Sequence, residues 1–463
     1  MMRILKITVV SIALVTTQSL GARPPAPKPL PPPPPATFVL NQNSLQSQLL
    51  SNNLDLIKAL YAVHDAKDQV NIARANLLPS LNLGSLLNLT GGGFILSSIN
   101  FLLPFLVPSN WYNYAAEKNL FQAEKIAYHA IQLNAYSSAL ALYFTLVADR
   151  QIQAIYQQQY HDLQDIFEMQ KKRSTVGLVP ISDLMQIQAQ ARMAGVKASQ
   201  LAELNKQEIA AIRKFMSLPL ETQIRLENST MANSPWEFEN MQATIDRANT
   251  VSVERAQIQY LIKAAQAQKW SKVFSIVNSP SIVGGSVGGH NANFDNMQAV
   301  GSMSFGFAQF PTYELNERRI KEIKLQDLEL QEENTRIVEA TIGSIEEARQ
   351  QLDLATQAEV QMAQVYEIRR QDYEQGGGTL IDVLQARNQM ADASVARIKA
   401  LLDVNLQRNT LHRTLLTASF STIRGCNAAR TPPVERKVGV IGRIVGKKPV
   451  ESHQTLDRIC RGG

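Results

Sequence analysis

Cysteine is nearly missing from this chain. Of 463 residues only Cys426 and Cys460 carry a thiol, and both lie near the C-terminus. A disulfide framework is therefore excluded for the body. In an exported chain a disulfide closing the tail and two free thiols both remain open. Aromatic residues make up 6% and charged residues 19%. Ala, Gln and Leu fill the middle instead, a composition that favours long helices over compact globules. Past the first twenty residues no stretch reaches the ~18 apolar residues of a membrane helix. The six histidines (64, 129, 161, 290, 412, 453) have no metal-ligand spacing. Gly442 to Lys448 is one residue short of a phosphate loop and lacks its closing Ser or Thr. Neither a catalytic centre nor a cofactor is indicated, and no metal or nucleotide site.

Charge of one sign is also short over most of the chain. From Arg424 onward nine Lys/Arg face three acids, an excess equal to the net charge of +6 for the whole protein. The body is near neutral and the tail is basic. These basic residues sit among Gly and Pro, not on a patterned face, so a nucleic-acid surface is not indicated.

What is present is ordered. Arg3 and Lys6, an apolar run from Ile7 to Val15 and small residues around Ser19, Gly21 and Ala22 read as a signal peptide over 1–22. Residues 23–43 read as a Pro-rich extended linker. The most informative feature follows. Gly177, Asp183 and Gln186 return 199 positions later as Gly376, Asp382 and Gln385, each set following one long helical pattern and opening another. The chain is internally duplicated.

The first repeat spans 44–219. It comprises a helix capped at Ser44, a strand hairpin over 80–107, a long helix over 110–175 and a return helix over 181–217. The second spans 220–420, with a helix from about 241 to 275, a hairpin over 280–310, a long helix over 312–371 and a return helix over 380–416. Residues 421–463 form the basic tail. The hairpins alternate apolar and polar residues, as Leu81, Leu83, Leu87 and Leu89 do against Asn82, Gly84, Asn88 and Thr90. Each strand has the length of a tilted membrane strand. Val338, Ile342, Ile345, Ala348, Leu352, Ala355, Met362 and Tyr366 step mostly by three and four, a narrow coiled-coil-like stripe. Trp111 and Tyr112 fit either a membrane interface or packing at a helix start.

Four amphipathic strands cannot close a barrel alone, and an open edge is forbidden in a bilayer. Eight strands from two chains would be filled by side chains, whereas about twelve leave a bore. Membrane hairpins therefore predict a trimer. The expected class is an α+β membrane protein whose protomer contributes four strands and long coiled-coil helices.

The stretch from Arg173 to Leu184, and that from Tyr373 through Thr379 to Ala386, resemble the two helical turns of the TolC family of outer-membrane efflux and secretion ducts. The likeness covers roughly residues 44–420. It implies a homotrimer with a 12-stranded β-barrel in outer-membrane lipid and an α-helical periplasmic tunnel. It also implies an inner-membrane transporter and a periplasmic adaptor (a membrane fusion protein) as partners in tripartite efflux or type I secretion. In such ducts an Asp on the first turn bonds a Tyr and an Arg on the second. Asp183 and Tyr373 match two of these positions, and Gly378 stands where the Arg would be. Two constricting Asp positions correspond to Asp382 and Gln385. The resemblance thus implies a mouth less strongly latched and less acidic, with Asp382 as a cation-favouring ring. Helix capping is the competing role for Asp183 and Asp382. An exported coiled-coil scaffold without a pore is the rival reading of the chain; it leaves the two matched hairpins unexplained.

Overall fold

The computed structural model describes residues 37–78, 107–177, 179–274 and 309–425. Both predicted strand hairpins fall almost wholly outside these residues, as do the signal peptide, Cys426, Cys460 and most of the basic tail. The described residues are dominated by helices in two antiparallel hairpins. In the first, α3 (Pro108–Ser174) runs 67 residues and α4 (Ile181–Phe215) returns beside it. At 1.5 Å per residue α3 is about 100 Å long. In the second, α7 (Gln309–Glu374) and α8 (Leu380–Leu415) do the same. Pro108 opens α3 at a position where its missing N–H costs nothing. Lys171, Lys172 and Arg173 close that helix, where positive charge suits the dipole.

The shorter helices carry the duplication into their caps. Asn41 caps α1 (Gln42–Asn52), accepting from the Ser44 N–H at 2.8 Å while Ser44 Oγ accepts from the Asn41 N–H at 2.9 Å. Asn240, 199 positions on, caps α5 (Met241–Val251) by accepting from the Gln242 N–H. Two expectations are corrected here. Ser44 is the third residue of the capping box, not the cap. The helices expected as continuous over 44–76 and 241–275 are each broken. Asn53 ends α1 and caps α2 (Leu54–Ala75), its Oδ1 accepting two N–H bonds at 2.9 Å. Ser252, again 199 on, separates α5 from α6 (Val253–Phe274), its Oγ accepting from the Arg255 N–H at 3.3 Å. A side chain that satisfies the orphan N–H groups of a new helix makes a break inexpensive.

The linker is also shorter than expected. β1 (Thr37–Leu40) pairs in parallel with β2 (Gln223–Leu226), Thr37 opposite Gln223 and Leu40 opposite Leu226. The pair closes one side of the main core. Leu40, Leu45, Leu49, Tyr136, Leu140, Tyr143, Ile212, Met216 and Phe420 are all but fully buried there. Each large apolar side chain so buried contributes about 1.5–3 kcal/mol. A short 3-10 helix at Ala418–Thr422 brings Phe420 edge-on to Tyr136, ring centres 5.0 Å apart, and Ile423 is buried too. The described strap thus runs on to residue 425, past the boundary expected at 421. His129 Nε2 and the Ile423 carbonyl, 2.8 Å apart, hold the strap down.

One stretch of α3 is apolar enough to cross a membrane by length and composition, although no such stretch was expected; 56% of it is buried inside the protein, as in a core helix. The stripe on α7 packs as its spacing requires: Val338, Ile345 and Ala348 are buried and Ile342, Leu352, Ala355, Met362 and Tyr366 half-buried. Tyr112 stacks on Phe274 of α6, 5.4 Å between ring centres, so it packs at the helix start.

Candidate functional site

The two turns that end the long helices come from similar sequence, and each carries a glycine at positive φ. In the second, Gly376 takes φ +81°, its N–H bonds the Tyr373 carbonyl and the Gly377 N–H bonds the Asp372 carbonyl. That is a Schellman closure, and it needs a residue free to adopt positive φ. Gly177 takes φ +80° in the first turn, and its N–H bonds the Ser174 carbonyl.

The return helices then start differently. Thr379 caps α8 and forms a reciprocal box with Asp382, whose Oδ2 lies 2.7 Å from Thr379 Oγ1 and 3.3 Å from its N–H. These bonds, first the hydroxyl and then the backbone, hold the Asp382 carboxyl below its ordinary range, with Arg369 adding to the effect. Pro180 occupies the cap of α4 and offers no side-chain bond. Asp183 lies in the first turn of α4, where it accepts from Ser182 Oγ at 3.1 Å. Neither Asp is therefore a cap itself; Asp382 is the box partner of one.

Tyr373 and Asp183 are not joined within the protomer. The Tyr373 hydroxyl instead donates to Gln170 Oε1 at 2.9 Å, tying the end of α7 to the end of α3. The Arg173 guanidinium stands 5.9 Å from the Tyr373 ring centre. Gly378 has no positive φ, and a Cβ there would lie 3.4 Å from the Tyr373 nitrogen. Gln385 is exposed.

Beneath the turns, Leu163, Ile166, Ile187, Leu380, Val383 and Leu384 form an apolar plug that joins the two hairpins. A polar layer lies behind it. Arg387, 3% exposed, donates from Nε to Asp162 Oδ2 at 2.8 Å and lies 5.8 Å from the Tyr366 ring centre. Gln159 donates to Asn388 at 2.7 Å, and Asn388 to Gln190 at 3.3 Å. Sequence reasoning missed these residues. Arg387 directly follows the second-turn motif, which was the available signal, but nothing in its spacing marks it as buried. At the tip, Val176 (70% exposed), Ile181 (67%) and Ile381 (53%) leave apolar side chains in solvent.

Residues 45–216 match the family model for outer membrane efflux proteins. No curated protein matches the chain in sequence. Among solved structures, a membrane protein from Pseudomonas aeruginosa superposes with TM-score 0.63 at 14% identity, covering 85% of this chain and 99% of that one. The CmeC outer membrane channel of Campylobacter jejuni gives TM-score 0.60 at 16% identity, over 82% of this chain and 88% of that one. The outer membrane protein VceC of Vibrio cholerae gives 0.62 at 13%, over 81% and 95%. At these identities the likeness speaks for the fold, and the matched segment lies in the first repeat. Residues 45–216 thus carry the likeness to outer membrane efflux proteins, and the chain has the fold of the TolC-like channels.

Proposed function

We propose that this protein is the outer-membrane channel of a tripartite efflux system, passing cargo delivered by an inner-membrane pump through a periplasmic adaptor, with type I secretion as a further use of the same duct. Three protomers would place the hairpins at 80–107 and 280–310 in a 12-stranded barrel. Their long helices would continue the bore into the periplasm. The observation that carries the reading is the pair of helical hairpins with matched turns at a 199-residue offset, joined at one end by the plug around Leu384. Exposed Leu325, Leu328, Leu354, Val360 and Ile368 along α7 support lateral packing against further helices. Long helices with an unspent apolar edge associate side by side.

In this reading the turns form the periplasmic mouth. Three copies of Asp382 would ring the axis, ionised by their own capping geometry. Asp183, engaged only with Ser182 among the described residues, would face a neighbouring protomer. Tyr373–Gln170 would hold each protomer's two hairpins together. Transport energy would come from the pump.

The test is single-channel conductance of the detergent-purified protein in a planar bilayer, with its mass measured in the same preparation. Stable pores from a trimer are the expected result. A particle that never conducts and leaves membranes in high salt would return the chain to a scaffold role.

A further inference from the structure

Glu208 of α4 is 7% exposed, and its Oε2 has no hydrogen-bond partner among the described residues. The register of α3 and α4 brings it opposite Asp149, whose charge and hydrogen bond act on it. One turn away Asn205 donates to Gln153 Oε1 at 2.6 Å, fixing the register of the two helices. Asn205 Oδ1 is also buried without a partner. The ion pairs among the described residues use other carboxylates, Asp162 and Glu359 among them.

Asp149 is the charged group acting on Glu208. The third helix packed at this level, α8, brings Val395, Ile398 and Leu402 against Ala148, Ile152 and Leu201. About two turns toward the mouth, at ~10 Å by helical rise, Asp392 of α8 acts on Tyr156, and Lys197 of α4 lies 5.0 Å over that ring. Two facing carboxyls with no cation between them cannot both ionise without repulsion.

We propose that Asp149 and Glu208 clasp α3 to α4 through one shared proton, making the first helical hairpin a pH-sensitive joint that loosens as pH rises. Burial, then the Asp149 charge and hydrogen bond, raise the Glu208 carboxyl to about 7. Its folded value lies above its unfolded value, so the folded hairpin holds a proton that the unfolded chain gives up. The contribution is full below the unfolded value and is lost as pH rises through the folded one.

The device belongs to one hairpin only. The positions 199 residues on are Ala348 and Gln407. About ten residues closer to the turn, α7 and α8 are tied instead by the Arg397–Glu359 ion pair. The clasp sits about 40 Å from the turn, counting 25 residues from Asp149 to Ser174. One turn beyond Glu208, Ile212 enters the main core, so the clasp sits at the root of the hairpin. Its consequence for opening the duct rests on the function proposed above; the clasp itself does not.

The test is infrared spectroscopy of the detergent-solubilised full-length protein between pH 6 and 8, with amide hydrogen exchange of residues 201–212. Wild type should show one protonated-carboxyl band disappearing with a midpoint near 7. Exchange in this stretch, corrected for its intrinsic pH dependence, should rise roughly tenfold, the change that one group titrating midway allows. Glu208→Gln should lack the band and the rise. Asp149→Asn, in case the first variant does not fold, should move the midpoint down by about one unit or more. No carboxyl titrating between pH 6 and 8 in wild type overturns the clasp, as does a band unchanged in the folded variants. Neither readout requires a pore, so a failed conductance experiment leaves this one standing.

Discussion

The hydroxyl of Tyr373 donates to Gln170, 203 residues earlier in the chain, at 2.9 Å. Gln170 is fully buried and its own amide nitrogen has no partner, so this bond is what its side chain gains from the contact. Tyr373→Phe removes the donor and leaves the ring in place. A net hydrogen bond is worth about 1 kcal/mol, close to a fivefold change in an equilibrium. If the bond is made only while the hairpins are together, Tyr373→Phe should raise channel open probability several-fold in bilayer recordings. Thermal stability should barely change. An unchanged open probability would remove Tyr373 from the latch.

Glu237 is 1% exposed as a side chain and accepts from Arg408 Nε at 3.2 Å and from Arg349. It also accepts from the Ser234 N–H at 2.8 Å, while Arg408 reaches the Met231 carbonyl. One carboxylate thus pins the loop between the repeats to α7 and α8. Removing it strands buried guanidinium charge, at a cost of about 3–5 kcal/mol. Glu237→Ala should lower the melting temperature of the purified protein clearly. Glu333→Ala, which breaks the solvent-screened pair with Arg336, should leave the melting temperature almost unchanged and serves as the control.

The hub at Glu237 also marks where sequence reading stopped. Helix periodicity, the 199-residue offset and both glycine turns were legible because each repeats within the chain. The offset holds at Asn41 and Asn240 and at Asn53 and Ser252, although the breaks themselves went unread. An Asn inside an Ala- and Leu-rich stretch announces no break until its side chain is seen to cap. The β1–β2 pair was hidden for a different reason. Four residues give too short a period, and their partner lies about 190 positions away. Buried charges such as Arg387 and Glu208 look like surface charges in sequence, since their burial comes from neighbouring helices. The turn residues were legible from their motif, but their partners were not: Asp382 bonds Thr379 and Tyr373 bonds Gln170.

Gly376 offers a cleaner backbone test. Its φ is +81°, and a Cβ added there would meet nothing within 4 Å. Gly376→Ala therefore reports conformational strain alone, about 1–2 kcal/mol for a non-glycine residue in this region. Gly377 has no positive φ, and its nearest contact would be 3.7 Å, so Gly377→Ala should be close to neutral. Limited proteolysis at the second turn should quicken for the first variant and not for the second. Equal rates would mean the Schellman closure does not govern the turn.

Asp382 carries the prediction that bears most directly on transport. Its carboxyl is held below the ordinary range by the Thr379 hydroxyl and N–H. A group with a depressed folded value stabilises the box above its unfolded value and loses that contribution as pH falls through the folded one. In the proposed trimer the three Asp382 carboxylates should therefore stay charged when the pH is lowered to where free carboxylates are already half protonated. Cation selectivity in bilayer recordings should persist to that pH and collapse below it. Asp382→Asn keeps the shape and removes the charge, so selectivity should shift toward neutral at every pH and block by multivalent cations should weaken. Thr379→Val removes the hydroxyl that lowers the Asp382 carboxyl. It should move the loss of selectivity to higher pH and cost about 1 kcal/mol of helix stability through the lost cap. A duct whose selectivity is the same with Asp382→Asn as without it has its filter elsewhere, and Asp382 would then serve only to start α8.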